Sequence, residues 1–355
     1  MRRKNLIVKR KAKKNLTIKD PQIKKFYTKF KNIVFKNIKN ESFAIGVSGG
    51  SDSLCLAYFS KIYASEFNNK IYFLIVDHKL RKESQKESLK VKKILSKKEI
   101  KSTILNWKGK IPKSNIQLNA RNIRYSLISR YCLRKKVKNL IVAHHMDDQI
   151  ENFFIRLFRG SGLTGLSSMS DKFEYSKNLR IIRPFLNFKK EDLKHVTQKY
   201  FKTYIQDPSN NDKKYLRIKI RKYRKNLEDE GLDDSKIIKT INNLNSANKA
   251  LNYYKNQALY KHVSFLSKNE CLINKKLFGE EASEVIFKCF SAILSLISSS
   301  YYPPRSKKII NLIHRVKKVD FIKSTLGGCT IEKQDNFISI SRELRVKKKP
   351  YQPQK

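Results

Sequence analysis

The chain has 355 residues, 40% of them hydrophobic, so it is long enough for a sizeable core and for roughly two or three domains. It carries 79 Lys and Arg against 30 Asp and Glu, and this net charge of +49 makes nucleic acid the first candidate partner. A Lys-rich composition from an A/T-rich genome is the alternative source of this charge.

The five cysteines are widely spaced and form no C-x-x-C pair, which argues against a disulfide framework, a zinc ribbon or an iron–sulfur cluster. We therefore expect reduced thiols in a cytoplasmic protein. No apolar run approaches the length of a membrane span, so we expect no membrane partner. Residues 1–20 predict a solvated basic tail, with a targeting peptide as the alternative. The oligomeric state stays open, a homodimer being one alternative.

Short apolar runs alternate with longer amphipathic runs between residues 43 and 186. The apolar runs predict five strands, at Phe43–Val47, Ile71–Val76, Ser102–Trp107, Leu140–Ala143 and Ile181–Phe185. The amphipathic runs predict helices at Leu54–Glu66, Glu83–Lys98, Ile116–Lys135 and Asp147–Arg159. This alternation predicts an α/β domain over residues 21–220 with a mostly parallel, doubly wound sheet, which binds ligands beyond the carboxyl ends of its strands.

The strand pattern fades after residue 187. Lys189–Tyr200 predicts a helix, residues 207–214 a polar loop, and Ile218–Ile297 a mostly helical stretch with breaks near Gly231 and Gly279. Pro303-Pro304 marks a boundary, and the alternation over Phe337–Ile340 indicates β structure beyond it. We divide this half into a smaller helical domain, a short α+β unit and a disordered tail: residues 221–300, 301–346 and 347–355.

A glycine-rich run, Ser48-Gly49-Gly50-Ser51-Asp52-Ser53, joins the first predicted strand to the first predicted helix. Paired glycines let backbone N–H groups turn inward, serine hydroxyls add donors, and the helix contributes the positive end of its dipole. The six residues predict a phosphate or pyrophosphate site, with Asp52 placed to hold Mg²⁺. A turn with Ser and Asp caps is the simpler alternative. The run lacks the Lys of the Walker pattern.

This run resembles the PP-loop, S-G-G-x-D-S, of the ATP pyrophosphatase superfamily. Enzymes of that superfamily cleave ATP between the α and β phosphates and adenylate an oxygen of their substrate. The resemblance implies an adenine nucleotide alpha hydrolase-like fold, with ATP and Mg²⁺ as cofactors.

Further motifs follow in an order that resembles the tRNA(Ile)-lysidine synthase family from about Phe43 to Arg221. They are Val76-Asp77-His78-Lys79-Leu80-Arg81, Asn119-Ala120-Arg121, Arg124-Tyr125, the run from Ala143 to Glu151, the run from Arg156 to Gly162, Arg183-Pro184-Phe185 and Asp207-Pro208-Ser209-Asn210-Asn211. The resemblance implies that the wobble cytidine of an isoleucine tRNA with a CAU anticodon is converted to lysidine with free L-lysine. The chain departs from the family at Ile218, where Asn is usual, and matches only loosely after Arg221.

Imidazoles and carboxylates cluster at the end of the fourth predicted strand: His144, His145, Asp147, Asp148 and Glu151. Such a cluster could bind Mg²⁺ or hold a lysine ammonium, and acidic residues favoured at a helix N-terminus are the alternative. With Asp52, we take His145, Asp147 and Asp148 as catalytic candidates. One of the last three would accept the proton of the attacking amine, and the sequence does not choose among them.

Other polar residues are assigned to ATP or to the tRNA substrate. Asp77 and His78, at the end of the second strand, either orient a base or form a strand-end turn. Arginines spaced along predicted helices suit phosphate groups, with solvated helix faces as the alternative. Together with Glu151, the arginines that we assign to the substrate are Arg121, Arg124, Arg159, Arg217 and Arg221. The last two belong to a basic stripe that includes Arg224 and interleaves Tyr215 and Tyr223, so we expect residues 221–300 to contact tRNA.

The sequence thus predicts a cytoplasmic ATP-dependent carbon–nitrogen ligase that acts on tRNA. A tRNA thiolation enzyme with the same loop is one alternative, although it would need reactive cysteines such as a C-x-x-C pair. A non-catalytic basic RNA-binding protein is the other, and the intact glycine-rich run argues against it.

Overall fold

The computed structural model describes residues 18–80, 83–109, 116–176, 178–206, 216–300 and 303–343. The polar loop predicted at residues 207–214 and most of both predicted tails lie outside these residues. The chain forms two compact units, residues 1–242 and 243–355, and the boundary falls within a helix of 29 residues, Asp234–His262. This boundary lies inside the range 221–300 that the sequence predicts as one domain.

The first unit is built on a six-stranded sheet. Its strands are β1 (Phe43–Gly46), β2 (Ile71–Asp77), β3 (Ser102–Asn106), β4 (Asn139–Ile141), β5 (Lys172–Ser176) and β6 (Leu179–Ile182). They lie in the order β3-β2-β1-β4-β6-β5, and every neighbouring pair is parallel except β5 with β6. Because β1 lies between β2 and β4, the strand order reverses beside β1, where such sheets bind their ligands.

Helices cover both faces of this sheet, which confirms the predicted doubly wound fold. Alternate residues of β1 point to opposite faces: Phe43 and Ile45 enter one apolar core, and Ala44 enters another. The helices of the first unit are α1 (Pro21–Ile38), α2 (Ser51–Glu66), α3 (Ser84–Ser96), α4 (Ile116–Arg134), α5 (Met146–Leu157), α6 (Leu163–Leu166), α7 (Lys190–Phe201), α8 (Leu216–Asp229) and the start of α9 (Asp234–His262).

The start of the domain is a helix for which the sequence carries clear signals. Asp20 caps α1 by accepting hydrogen bonds from the backbone of Gln22 and Ile23, at 2.9 and 3.0 Å, and Pro21 occupies the first helical turn. Five side chains at helical spacing form the buried face of α1: Ile23, Tyr27, Phe30, Val34 and Ile38.

Two details of the sheet differ from the prediction. The fifth predicted strand, Ile181–Phe185, is shorter and earlier, because β6 ends at Ile182 and Pro184 cannot donate to a ladder. Its last residue, Phe185, still bridges to His145. In addition, β5 adds an antiparallel edge that was not predicted, although Phe173 and Tyr175 alternate with polar residues, a short signal for a strand.

The second unit holds an antiparallel sheet of five strands. They are β7 (Val263–Ser267), β8 (Glu270–Asn274), β9 (Lys323–Leu326), β10 (Cys329–Gln334) and β11 (Phe337–Arg342), in the order β7-β8-β11-β10-β9. The helices of this unit are the second part of α9, α10 (Leu277–Glu280), α11 (Ser283–Ser298) and α12 (Ser306–Val316). The main apolar core of the unit combines α11 and α12 with the inward residues of the sheet.

The mostly helical stretch predicted over Ile218–Ile297, with breaks near Gly231 and Gly279, also contains two strands, β7 and β8, that were not predicted. These strands form a hairpin within that range, and β8 pairs with β11, which lies far along the chain. These residues form strands because they pair with β11, and the local sequence pattern does not reveal a partner so far along the chain. Within the described residues, no helix combines the length and apolarity that a membrane span needs.

Candidate functional site

The glycine-rich loop follows β1 and is closed by one serine hydroxyl. Ser53 Oγ accepts hydrogen bonds from the backbone N–H groups of Ser48 and Gly49, at 3.2 and 3.0 Å, and donates to the carbonyl of Gly50 at 3.0 Å. Gly50 is the N-cap of α2, and no side chain caps this helix end. The first-turn N–H groups of α2 therefore have no side-chain acceptor, and the binding of phosphate by these six residues stays a prediction.

The two glycines of the loop differ in what they tolerate. Gly49 has φ +92°, and a Cβ built on it would lie 2.5 Å from Val91 Cγ2 and 3.2 Å from Ile205 Cδ1. Its carbonyl accepts a hydrogen bond from the Ile205 backbone at 2.9 Å. Gly50 has an ordinary extended backbone and open space, its nearest neighbour being Ser48 Oγ at 4.0 Å. The fold therefore requires glycine at position 49 and accepts a side chain at position 50.

A histidine and three carboxylates face one another across the strand-order reversal. His145 follows β4, and its imidazole lies 3.5 Å from Asp52 of the loop, 3.5 Å from Asp147 and 3.5 Å from Asp148. Asp148 also accepts from the His145 backbone at 3.1 Å, which caps α5. The structure thus brings together all four of the predicted catalytic residues.

The charges in this cluster are mutually dependent. Burial disfavours a charge on His145, but Asp147 and Asp52 outweigh burial and raise its pKa to about 10. Burial likewise opposes the charge of Asp52, and His145 and Ser51 hold its pKa below the ordinary value. The cluster at neutral pH therefore consists of an imidazolium among carboxylates.

Two ion pairs join α5 to α8. Glu151, whose side chain is only 4% exposed, accepts from Arg221 Nε at 2.6 Å. One turn earlier on α5, Asp147 accepts from Arg224 Nη1 at 2.8 Å and from the backbone of Lys190 at 3.1 Å. Against the effect of burial, His145, followed by Arg224 and the Lys190 backbone, holds the pKa of Asp147 below its usual range.

An apolar core lies beside these ion pairs and joins α5 and α8 to the start of α9. Ile150 and Phe154 of α5 share one core with Ile220 of α8 and with Ile237 and Ile241 of α9. Arg224 also contacts Asp234 at the start of α9, as well as Glu228 at 3.2 Å. The basic stripe of α8 is thus divided, because Arg221 and Arg224 face carboxylates while Lys219 and Lys222 are exposed.

The residues at the end of β2 form a strand-end turn and also leave polar atoms unmatched. Asp77 accepts from Ser84 Oγ at 2.7 Å and from the Lys79 backbone at 3.0 Å. Its second oxygen and His78 Nδ1 are buried and lack a hydrogen-bond partner within the described part of the chain. Burial and the neighbouring Arg124, whose Nη2 lies 3.4 Å from His78 Nε2, lower the pKa of His78 to about 4.

Among the described side chains, Arg121 and Arg159 form no ion pair with the carboxylate cluster. The Arg121 guanidinium lies 5.1 Å from the centre of the Tyr125 ring, and Arg159 is exposed in the turn after α5. Arg217 lies in α8, but its side chain is outside the described part.

The sequence of this chain matches a known domain family and several curated proteins. The model of the PP-loop domain matches residues 21–226. The chain is 35% identical over 318 residues to the tRNA(Ile)-lysidine synthase of Orientia tsutsugamushi strain Boryong, covering 86% of this chain and 70% of that protein. It is 36% identical over 324 residues to the tRNA(Ile)-lysidine synthase of Wolbachia pipientis wMel, covering 88% and 74%.

The chain belongs to the tRNA(Ile)-lysidine synthase family.

Membership of the tRNA(Ile)-lysidine synthase family makes the chain an enzyme, an ATP-dependent ligase with a PP-loop domain, which confirms the predicted class and the predicted binding of ATP. A solved structure supports the fold independently. The U34-tRNA thiolase NcsA from Methanococcus maripaludis, with its [4Fe-4S] cluster, matches with a TM-score of 0.55 at 19% identity, over 63% of this chain and 80% of that chain. At this identity the likeness concerns the fold alone.

Two residues of the site make contacts that the sequence does not predict. Arg224 belongs to the basic stripe assigned to tRNA contact, yet its side chain is only 14% exposed and pairs with Asp147. Arg183 was noted within a motif, yet it is buried and donates to His144 Nδ1 at 3.3 Å. The helical spacing of Arg224 and the position of Arg183 just after a predicted strand core were the available signals.

Proposed function

We propose that this enzyme joins free L-lysine to the wobble cytidine of an isoleucine tRNA with a CAU anticodon, with release of AMP and pyrophosphate. The observation that carries the proposal is the 3.5 Å approach between Asp52 of the glycine-rich loop and His145 of the carboxylate cluster. This approach would place a phosphate site next to a site for a cationic substrate. ATP, lysine and tRNA are all present in the cytoplasm, so we propose that the reaction takes place there.

The glycine-rich loop would take the pyrophosphate part of ATP. The uncapped N-terminus of α2 supplies N–H donors, and the imidazolium of His145 supplies a positive charge beside them. The buried, unmatched atoms of Asp77 and His78 offer an acceptor and a nitrogen that suit the adenine or ribose of ATP.

Mg²⁺ fits this loop through Asp52. Among the described residues, no three His, Cys, Asp or Glu side chains could hold a metal ion together. Mg²⁺ bound with ATP, however, takes one or two carboxylates and fills its other positions with phosphate oxygens and water. Asp52 provides such a carboxylate, partly exposed beside the loop. The ion would neutralise phosphate charge.

The first chemical step would adenylate the tRNA base. The cytosine carbonyl oxygen attacks the α-phosphorus of ATP, and the bond from that phosphorus to the bridging oxygen breaks as pyrophosphate leaves. Positioned cations stabilise the charge that develops on the phosphoryl oxygens. Adenylation makes the ring carbon electrophilic. Because His145 already carries a proton, it serves here as a cation and not as a base.

The second step needs a proton acceptor, and the hydrogen bonds favour Asp148. Lysine ε-amine attacks the activated carbon, AMP leaves with the former carbonyl oxygen, and the amine loses a proton. Both oxygens of Asp147 already accept hydrogen bonds, from Arg224 and from the Lys190 backbone. Asp148 uses Oδ2 for the His145 backbone, and none of the described hydrogen bonds reaches its Oδ1. Glu151, one turn along α5, would help to hold the lysine.

We assign catalysis to residues 21–220 and tRNA contacts chiefly to residues 221–300. Between Ser235 and His262, α9 contains no acidic residue. Three tyrosines of this helix are strongly exposed: Tyr253 by 61%, Tyr254 by 57% and Tyr260 by 92%. Exposed aromatic rings among lysines suit stacking on unpaired bases and attraction to phosphates.

Transfer of labelled lysine tests the proposal. Purified protein is incubated with ATP, Mg²⁺, labelled L-lysine and an isoleucine tRNA bearing a CAU anticodon, and label in the tRNA is counted. We expect ATP-dependent transfer that Asp52→Asn abolishes. Asp229→Asn, which alters an exposed carboxylate at the end of α8, is the matched control and should transfer normally.

The same assay separates the two alternative functions. Incorporation of sulfur from a donor, without lysine transfer, would move the protein to tRNA thiolation. Binding of tRNA with no consumption of ATP would leave only an RNA-binding protein.

A further inference from the structure

We propose that Arg183 is a positioning residue that fixes the tautomer of His144, and that His144 thereby presents Nε2–H as a neutral donor to a substrate oxygen. The role in catalysis rests on the proposed function above, whereas the tautomer is a property of the protein alone. Among the described contacts, neither residue hydrogen-bonds to Asp52, Asp147 or Asp148.

Arg183 is held rigidly just beyond the end of β6. Its side chain is buried, with the residue 6% exposed. Nη1 donates to the Ser170 carbonyl at 2.6 Å, and the guanidinium lies 4.6 Å from the centre of the Phe173 ring. Its backbone N–H donates to the Asp171 carbonyl at 2.7 Å. These contacts leave Nε–H aimed at His144, which follows the adjacent parallel strand β4.

The contact with Arg183 dictates where the proton of His144 lies. A guanidinium carries only donors and stays protonated in proteins. Since Arg183 Nε lies 3.3 Å from His144 Nδ1, that nitrogen must offer its lone pair, and the proton of the neutral ring must be on Nε2.

The surroundings of His144 act in the same direction. Burial, followed by the positive charges of Arg183, Arg121, His145 and Arg124, keeps the pKa of His144 well below its ordinary value. A second proton would place a cation among these cations and would set two donors against each other at Nδ1. The imidazole therefore stays neutral across the physiological range.

Two adjacent histidines thus differ in charge, one being a cation and the other neutral. His145 is an imidazolium held by carboxylates, and His144 is a neutral imidazole held by an arginine. A neutral N–H donor can polarise a carbonyl or phosphoryl oxygen without changing its own charge with pH. Because the ring belongs to the segment that carries the carboxylate cluster, the oxygen that it meets would be that of the base or of the α-phosphate.

Nitrogen NMR of the full-length protein tests the tautomer. Histidine is labelled with ¹⁵N, two-bond ¹H–¹⁵N correlations are recorded from pH 5.5 to 8, and His144→Gln identifies the signals of His144. We expect an unprotonated Nδ1 and a protonated Nε2 throughout. A proton on Nδ1, or titration of the ring in this range, would overturn the proposal whether or not the protein transfers lysine.

Variants of Arg183 test the positioning role. Arg183→Met keeps the length and removes the donors, so we expect mixed tautomers at His144 and a fall in kcat for lysine transfer of about 10²-fold, with KM for lysine little changed. Arg183→Lys, which retains a donor and a charge, should restore the tautomer and part of kcat. Restoration of neither would count against positioning.

Arg180 provides the matched control. It lies three residues earlier on β6, where it donates to Asn139 at 3.0 Å and to Glu41 at 3.1 Å. We expect Arg180→Met to leave the His144 signals and kcat unchanged. If Arg183→Met left the His144 signals as in the wild type, or if both methionine variants changed them equally, Arg183 would have no specific role. Should Arg183→Met fail to fold, the wild-type spectrum and Arg183→Lys decide the question.

Discussion

A single methyl group at Gly49 should destabilise the first unit, because it would push the glycine-rich loop away from Val91 and Ile205. In Gly49→Ala the new Cβ would meet Val91 Cγ2 at 2.5 Å, on a backbone with φ +92°. A left-handed backbone costs roughly 1–2 kcal/mol and overpacking roughly 1–3 kcal/mol, so the first unit should lose about 2–5 kcal/mol of its free energy of unfolding. The lower half of this range is expected if Val91 and Ile205 rotate away.

Urea unfolding followed by tryptophan fluorescence measures this loss. Trp107 is the only tryptophan of the chain and lies in the first unit, so its signal reports that unit without mixing in the second. With a urea dependence of roughly 2 kcal/mol per molar, the midpoint should fall by about 1–2.5 M.

Gly50→Ala is the control for this prediction, because position 50 has an extended backbone and no atom nearer than 4.0 Å. Its midpoint should stay within about 0.25 M of the wild type, since substitutions without strain change stability by roughly 0.5 kcal/mol. Equal midpoints for the two variants would refute the argument from backbone conformation and close approach.

Three further predictions follow from the site. Arg224→Met should lower the free energy of unfolding by roughly 1–3 kcal/mol, and with it the urea midpoint, because it leaves the partly buried Asp147 without its guanidinium. Lys222 is exposed on the same helix, so Lys222→Met should leave the midpoint unchanged, and equal effects of the two variants would contradict the role of the ion pair. As pH falls from about 6.5 to 4, the free energy of unfolding should fall, because the lowered pKa of His78 in the folded protein means that unfolding takes up a proton. His78→Gln should flatten the curve of urea midpoint against pH in this range. An unchanged slope would exclude His78 as the cause. N-ethylmaleimide should leave lysine transfer intact at neutral pH, since all five cysteines are buried and burial raises the pKa of Cys132, Cys271 and Cys289 to about 12; rapid loss of activity that ATP prevents would instead favour a reactive thiol in the site.

The sequence predicts the parallel strands of the first sheet because they are short, apolar and followed by polar residues. Parallel strands place their carboxyl ends at one edge, so the sequence also predicts that Ser48–Ser53 and His144–Asp148 meet there. Helix α1 could have been predicted too, because Asp20 and Pro21 form a strong helix start before an apolar face of helical period.

Other features depend on partners that no local pattern identifies. Arg224 has the same helical spacing whether it faces solvent or Asp147, and only the packing of α8 on α5 decides between them. The hairpin of β7 and β8 acquires its third strand from β11, more than 60 residues away along the chain. The charge states of His144 and His145 follow from side chains on other elements, and identical neighbouring letters in the sequence cannot distinguish them.

The reversal of strand order beside β1 has a consequence for synthesis on the ribosome. The glycine-rich loop is complete once α2 has been made, but β4 and His145 follow roughly 70–80 residues later, which takes about 4–16 s at roughly 5–20 residues per second. During that interval β1 has an open edge on the side where β4 will bind. The nascent chain is therefore most exposed to wrong pairing just before it gains its histidine, and slow codons between α3 and β4 would prolong that interval.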